Sequence, residues 1–395
     1  MLTGSLVAAA LSGCGSSAEN GNMGNGGSAE NGSSAQQDPA QSGQAAEAQG
    51  AAAESAQGES GQAKDSVIVT MPSTSEPEAG FDPVYGWGAG EHVHEPLIQS
   101  TLTVTTTDLK IGYDLSTGME ASDDGLTWTV TIRDDVSFTD GEKLTAGDVA
   151  FTYNTLRDTS SVNDFTMLKE AQAVNDTTVE FHMNRPYSIW PYTMAIVGIV
   201  PEHAYGAGYG EHPVGSGRYM LKQWDKGQQV ILEANPDYYG EAPIMKKVTI
   251  LFMEEDAAYA AVMSGQADLA YTAASYSDQT LPGYELLAFG TVDNRGFNLP
   301  AVPDEGKTED GISIGNDFTS DVQVRRAINL AIDRNEMIDN VLSGYGSPAY
   351  SVCDKMPWYN DAAQVGYDAV KAADILDKAG WVIGGDGIRE KDGVR

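Results

Sequence analysis

Thr127-Trp128-Thr129-Val130-Thr131-Ile132-Arg133 places Trp128, Val130 and Ile132 on one side of an extended chain and polar groups on the other. A period of two is the mark of a half-buried strand. Val179, Phe181 and Met183 alternate with Glu180 and His182 in the same way, and so do Val248, Ile250 and Phe252. His182 falls on the polar side and is assigned no function. Between and after these strands the period lengthens. Thr145-Ala146-Gly147-Asp148 is a helix cap followed by Val149, Tyr153 and Leu156 at helical spacing. Asp256 opens a helix over Ala257 to Ser264, which Gly265 stops. Ser320 or Asp321 caps a longer helix carrying Val324, Ala327, Ile328, Ala331, Ile338 and Val341 on one face and ending near Gly344. Ala372, Ile375, Leu376 and Ala379 repeat at i, i+3, i+4 and i+7, and Gly380 ends them. Mixed strands and helices with no steady repeat predict α/β lobes rather than a barrel or a solenoid.

The chain has 395 residues, enough for two or three domains of about 100 to 200 residues each. It carries 57 acids against 23 bases, a net charge of -34. Nucleic-acid binding needs clustered Lys and Arg, so this balance excludes it as a working assumption. The acids are unevenly placed. Glu19, Glu30, Asp38, Glu47, Glu54 and Glu59 all precede the first base, Lys64, yet the body beyond is strongly acidic too. That body charge is compatible with a cationic or amine-bearing solute, but it is mostly surface charge.

Two cysteines exclude a disulfide scaffold and a four-cysteine zinc site. Cys14 closes the apolar run Leu6-Val7-Ala8-Ala9-Ala10-Leu11 through Ser12-Gly13, in the pattern of a secretory signal with a small-residue cleavage site. Leu11-Ser12-Gly13-Cys14 resembles the lipobox of bacterial lipoproteins, which implies cleavage before Cys14 and acylation of that residue. No Lys or Arg precedes the run, and Met1 is read as an internal start, so residues 1–14 are taken as the remnant of a lipoprotein signal. Residues 15–65 are almost wholly Gly, Ser, Ala, Asn, Gln and Glu, which predicts a flexible tether. No apolar stretch beyond Val67 is long enough for a membrane helix. The expected location is the cell envelope: periplasmic, or lipid-anchored on the outer face of the cytoplasmic membrane.

The residues show no nucleophile elbow, no zinc-protease helix, no phosphate loop and no dinucleotide fingerprint, so no catalytic residue is assigned and an enzyme is not expected. Gly215-Ser216-Gly217-Arg218 is read as a turn, and Cys353, with no neighbouring His or Arg, as a buried inert thiol. Glu91-His92-Val93-His94-Glu95 is the one metal-like cluster. On a strand, His92 and His94 share a face and can chelate Ni²⁺ or Zn²⁺; the alternative is a solvated, non-coordinating pair. Tyr85 and Trp87, in a glycine-interleaved stretch after Asp82-Pro83, suit a cleft rim, although ordinary packing serves as well.

The signature stretch from Ser122-Asp123-Asp124-Gly125 through Phe138-Thr139-Asp140-Gly141 to Thr145-Ala146-Gly147-Asp148-Val149 resembles that of the family 5 solute-binding proteins of bacterial ABC importers, the dipeptide, oligopeptide and nickel binders. Pro213-Val214-Gly215-Ser216-Gly217-Arg218-Tyr219, Asn235 to Gly240 with Pro243, Ser264 to Asp268, Asp321 to Ala327 with Ala331-Ile332-Asp333-Arg334, and Lys378-Ala379-Gly380-Trp381 follow in the family's order. The resemblance implies a two-lobed, type II periplasmic-binding-protein fold of the large peptide-binder class, with an extra subdomain. It implies a monomer that docks on a permease driven by a separate ATPase, delivers short peptides or a nickel complex, and holds no cofactor of its own.

On this reading residues 66–105 and 213–290 form the first lobe, 106–212 the extra subdomain and 291–395 the second lobe. Family members run on past Ile388 to Gly393. The second lobe is therefore expected to be incomplete in these 395 residues, and ligand binding by them alone to be weak or absent. Val93-His94 stands where the family usually has Val-Tyr, which raises the nickel reading. The nickel-chelate binders use arginines, and none stands around Phe165-Thr166-Met167-Leu168 or Ile196-Val197-Gly198-Ile199-Val200. Candidate ligand contacts are Tyr85, Trp87, Glu91, His92, His94, Phe165 and Met167, with His92 and His94 as metal ligands if the cargo is nickel. A secreted hydrolase and a surface adhesin are the remaining alternatives.

Overall fold

The computed structural model describes residues 64–78, 80–86, 97–159, 164–290 and 293–395. In chain order they form strand β1 (Ser66–Met71), a hairpin of β2 (Thr103–Thr105) and β3 (Ile111–Tyr113), strands β4 (Ser116–Ala121) and β5 (Thr127–Ile132), and helix α1 (Ala146–Thr159). Strands β6 (Leu168–Asn175) and β7 (Thr178–Met183) and the short helix α2 (Trp190–Met194) follow. Next come β8 (Tyr219–Asp225), β9 (Gln229–Ala234), β10 (Lys247–Phe252), α3 (Glu255–Met263) and β11 (Leu269–Ala270). Helices α4 (Val322–Ala331), α5 (Arg334–Val341) and α6 (Ala369–Lys378) complete the major elements.

Two sheets carry most of this. The first has the order β11-β1-β10-β9-β8, with β1 parallel to both β10 and β11 and the β10-β9-β8 side antiparallel. Ser-Val-Ile-Val-Thr-Met in β1 is at least partly buried throughout, between the parallel neighbours β10 and β11. Ile68 packs with Ala261 and Val262 of α3 on one side, while Phe81, Ile98, Val230 and Leu232 cluster on another part of the sheet.

The second sheet is antiparallel, β4-β5-β7-β6, and α1 lies against β6 and β7. Its core is aromatic. Tyr153 of α1 meets Phe181 edge-on at 4.8 Å, and Trp190 of α2 stands 5.2 Å from Phe181. Rings at this spacing and tilt add about 0.5–1.5 kcal/mol per pair beyond their buried area. Helix α1 starts where the sequence expects. Thr145 Oγ accepts from Gly147 N–H at 3.2 Å, while the Asp148 carboxylate accepts from Thr145 N–H at 2.9 Å, a reciprocal capping box.

Three expectations are corrected. Gly215-Ser216-Gly217 is not the turn expected from sequence, and neither glycine has positive φ. The segment runs against residues 97–100, with Gly217 N–H donating to Ile98 O at 2.8 Å and Tyr219 N–H to Leu97 O at 3.0 Å. A Cβ on Gly215 would sit 2.0 Å from Ile98 O, and one on Gly217 would sit 2.4 Å from Leu97 O, so glycine is required by the approach of two backbones. The long helix expected from Asp321 to Gly344 is two helices. Ile332 is extended, and Asp333 caps α5 by accepting from Glu336 N–H at 3.1 Å. Cys353 is only half-buried.

In the region after residue 293, α4 packs on α6. Trp381 is buried there against Phe318, and its Nε1–H reaches Asp321, which also caps α4. Backbone donation from Gln323, with Lys391 and Trp381, holds the Asp321 carboxyl below the usual range. Many large apolar side chains of this part remain exposed, Phe297, Ile312, Val341, Val352 and Val370 among them.

Gly215→Ala forces the two backbones apart and is expected to cost about 1–3 kcal/mol or more, the ordinary range for overpacking. Urea unfolding of the variant checks it; an unchanged midpoint would show that the crossing is not close-packed.

Candidate functional site

In open α/β sheets, ligands bind outside the carboxyl ends of parallel strands. Here those ends belong to β1, β10 and β11, and the chain leaving β1 builds the surroundings. Ser73 Oγ–H donates to Glu254 at the start of α3 at 3.0 Å. The Glu76 carboxylate accepts from Trp224 Nε1 at 2.8 Å and from Gly227 N–H at 2.7 Å, which fastens this chain to the β8–β9 hairpin. Phe81 then packs edge-on against Trp224 at 5.4 Å.

Residues 81 to 84 are all buried, and Tyr85 emerges after them with 46% of its surface exposed. Asp82 is fixed from two sides. Its carboxylate accepts from Val84 N–H at 2.9 Å and from the Tyr205 hydroxyl at 3.0 Å. Burial pushes the Asp82 carboxyl up, against the lowering effect of those two donors, and burial together with Asp82 raises the Tyr205 phenol so that it stays a donor. Gln99 Nε2 donates to Phe81 O at 3.0 Å and approaches Tyr209 Oη at 3.2 Å. Gly198 lies directly over this layer; a Cβ there would meet Gln99 Cβ at 2.7 Å and Pro83 Cβ at 3.3 Å. Asp82, Gln99, Tyr205 and Tyr209 are the participants that sequence reading does not reveal, because Asp82 and Tyr205 stand 123 residues apart.

Of the residues singled out from sequence, Tyr85 is therefore displayed on a clamped turn. Phe165 and Met167 lie elsewhere: each is 3% exposed inside the core around α1, with Phe165 against Tyr153 and Trp190. A ligand could touch them only if that core opened. Cys14, Trp87, Glu91, His92 and His94 lie outside the described residues. A separate cleft of about 490 Å³ runs along β8, lined by Glu211, His212, Pro213, Leu221 to Trp224 and Lys226. It contains none of the sequence candidates. Among the described residues no cluster of three or more His, Cys, Asp or Glu is arranged to hold a metal, and no helix is long and apolar enough to cross a membrane.

Residues 110–394 match the profile of bacterial extracellular solute-binding proteins, family 5, middle portion. The chain belongs to that family. This solute-binding protein is 34% identical over 353 residues to Protein XP55 of Streptomyces lividans, covering 84% of its own length and 60% of the relative's. It is 28% identical to the oligopeptide-binding protein AppA of Bacillus subtilis, covering 80% of this chain and 60% of AppA. The family 5 chain also superposes on the structure of NikZ from Campylobacter jejuni in complex with Ni(L-His), with a TM-score of 0.65 at 25% identity, covering 84% of this chain and 66% of NikZ. On AppA in complex with a nonapeptide the TM-score is 0.59 at 27% identity, covering 83% of this chain and 66% of AppA. The family 5 chain thus spans about 60% of the length of the curated relatives it matches.

Tyr205→Phe removes one of the two donors to the Asp82 carboxylate. Because the folded value of Asp82 is raised, its neutral form favours folding at low pH, and that contribution is lost as pH rises through the raised value. Loss of the phenol worsens the ionised form most. The variant should lose about 1.5–3 kcal/mol at pH 7 and less near pH 4, where more of the acid is neutral. Thermal unfolding at the two pH values checks this; a larger loss at pH 4 would contradict it.

Proposed function

We propose that this protein is the extracytoplasmic receptor of an ABC importer, anchored by a lipid on Cys14, which captures short peptides and passes them to a membrane permease powered by a separate ATPase. The observation that carries the reading is the family match over residues 110–394, joined to similarity with AppA, an oligopeptide-binding protein, in both sequence and structure. Residues 66–105 and 213–290 act as one lobe, carrying the β1 sheet, with 106–212 as its subdomain; 291–395 belong to a second lobe. The receptor acts as a monomer, and ligand contacts to both lobes select the closed state. Tyr85, Trp87, Glu91, His92 and His94 lie on the chain leaving β1, and this chain is the first lobe's contribution to the cleft. The ligand is cargo, and the receptor carries out no chemistry on it.

A nickel complex is the second reading. It is favoured by the His92-Val93-His94 spacing, which can present two imidazoles on one face of a strand, and by the likeness to NikZ, solved with Ni(L-His).

Uptake in the organism separates the two. Deletion of the gene should abolish accumulation of labelled di- and tripeptides and leave nickel accumulation unchanged, with restoration by the wild-type gene. Complementation by His92→Ala and His94→Ala should restore peptide uptake in full. Loss of nickel uptake alone, unrestored by the two histidine variants, would overturn the peptide reading in favour of the metal complex.

A further inference from the structure

We propose that Asp82 is a positioning residue whose buried carboxylate holds the 82–86 turn in one conformation and so presents the Tyr85 ring to the ligand. This rests on the reading that the chain leaving β1 forms the first lobe's side of the cleft.

Asp82 is 6% exposed, and the next two residues, Pro83 and Val84, are buried with it. Its carboxylate closes an Asx turn on Val84 N–H, and the Tyr205 hydroxyl ties that turn to the segment behind it. Gly86 follows in the left-handed region at φ +74°, a conformation that favours glycine. Tyr85 thus stands between a buried anchor and a left-handed glycine, with 46% of its surface exposed. The phenols of Tyr205 and Tyr209 are the titratable groups that face Asp82, and among the described residues no basic side chain offsets its charge. A buried carboxylate without a cation costs stability that an amide of the same shape would not. What the charge adds is stronger hydrogen bonding to both donors, hence a stiffer turn. A group that lowers stability while stiffening an exposed aromatic turn is arranged for binding rather than for folding.

The test compares the wild-type chain with Asp82→Asn and Asp82→Ala. Without ligand, the Val84 amide in Asp82→Ala should exchange at least about tenfold faster, and the Tyr85 ring signal in a ¹³C-tyrosine spectrum should shift; Asp82→Asn should keep partial protection. With the tripeptide Ala-Ala-Ala as probe, Asp82→Asn should bind about fivefold more weakly at pH 7 while unfolding at the same or a higher temperature. Wild-type affinity should decline as Asp82 takes up its proton, and the Asp82→Asn profile should lack that acid limb. Unchanged Val84 exchange and Tyr85 signal in Asp82→Ala would show that Asp82 does not hold the turn. Equal tripeptide affinity and equal pH profiles in wild type and Asp82→Asn would show that the turn does not serve the ligand. If the wild type does not bind the tripeptide measurably, the ligand-free signals still decide whether Asp82 fixes Tyr85, and unchanged signals in Asp82→Ala overturn the proposal.

Discussion

The hydrogen bond from Gly217 N–H to the Ile98 carbonyl, at 2.8 Å, lies where three parts of the molecule meet. Ile98 ends the chain that has left β1, Gly217 leads into β8, and the carbonyl of Gly215, two residues earlier, accepts from Thr139 of the signature stretch at 2.9 Å. Ser100 Oγ–H donates to Ser216 O, and Asn235 Nδ2 donates to Gly217 O, both at 3.0 Å. Two main chains at this separation leave no room for a Cβ, so a steric requirement at Gly215 and Gly217 fixes how the β1 sheet and the signature stretch leading to α1 join. Hydrogen bonds between buried backbones are also obligatory, since each unpaired group would lose its solvation with nothing in return.

From that junction the functional side is built outward. Gln99, next to Ile98, reaches Phe81 and Tyr209; Gly198 presses on Gln99 and Pro83; and Tyr205 grips Asp82. The result is a layer of buried polar groups with mutual partners under an exposed tyrosine. Such an arrangement suits a receptor, because a surface that is already ordered loses little entropy when the ligand arrives.

Much of the fold could be read from local pattern. Trp128, Val130 and Ile132, then Val179, Phe181 and Met183, alternate because one face of each strand is in the core, and Thr145 with Asp148, Asp321 and Gly380 mark helix ends through their own side chains or backbone. What failed was information held between distant segments. Gly215 and Gly217 resemble turn glycines in sequence, and only the neighbouring carbonyls of Leu97 and Ile98 reveal a close crossing. The Ile332-Asp333 break was available locally, since Asp333 is a good cap, but the apolar period through Ile338 and Val341 outweighed it. Tyr85, which the sequence offers as a rim residue or as ordinary packing, is 46% exposed, whereas Phe165 and Met167 turn into the Tyr153 and Trp190 core. The Asp82–Tyr205 contact has no local signature at all.

Amide hydrogen exchange at Gly217 and Tyr219 tests most directly whether the backbone crossing holds these parts together. Both amides should belong to the slowest-exchanging class and open only with global unfolding, tracking the denaturant dependence of the whole β1 sheet. Exchange at these two positions as fast as at exposed loop amides, with the sheet still protected, would contradict the account.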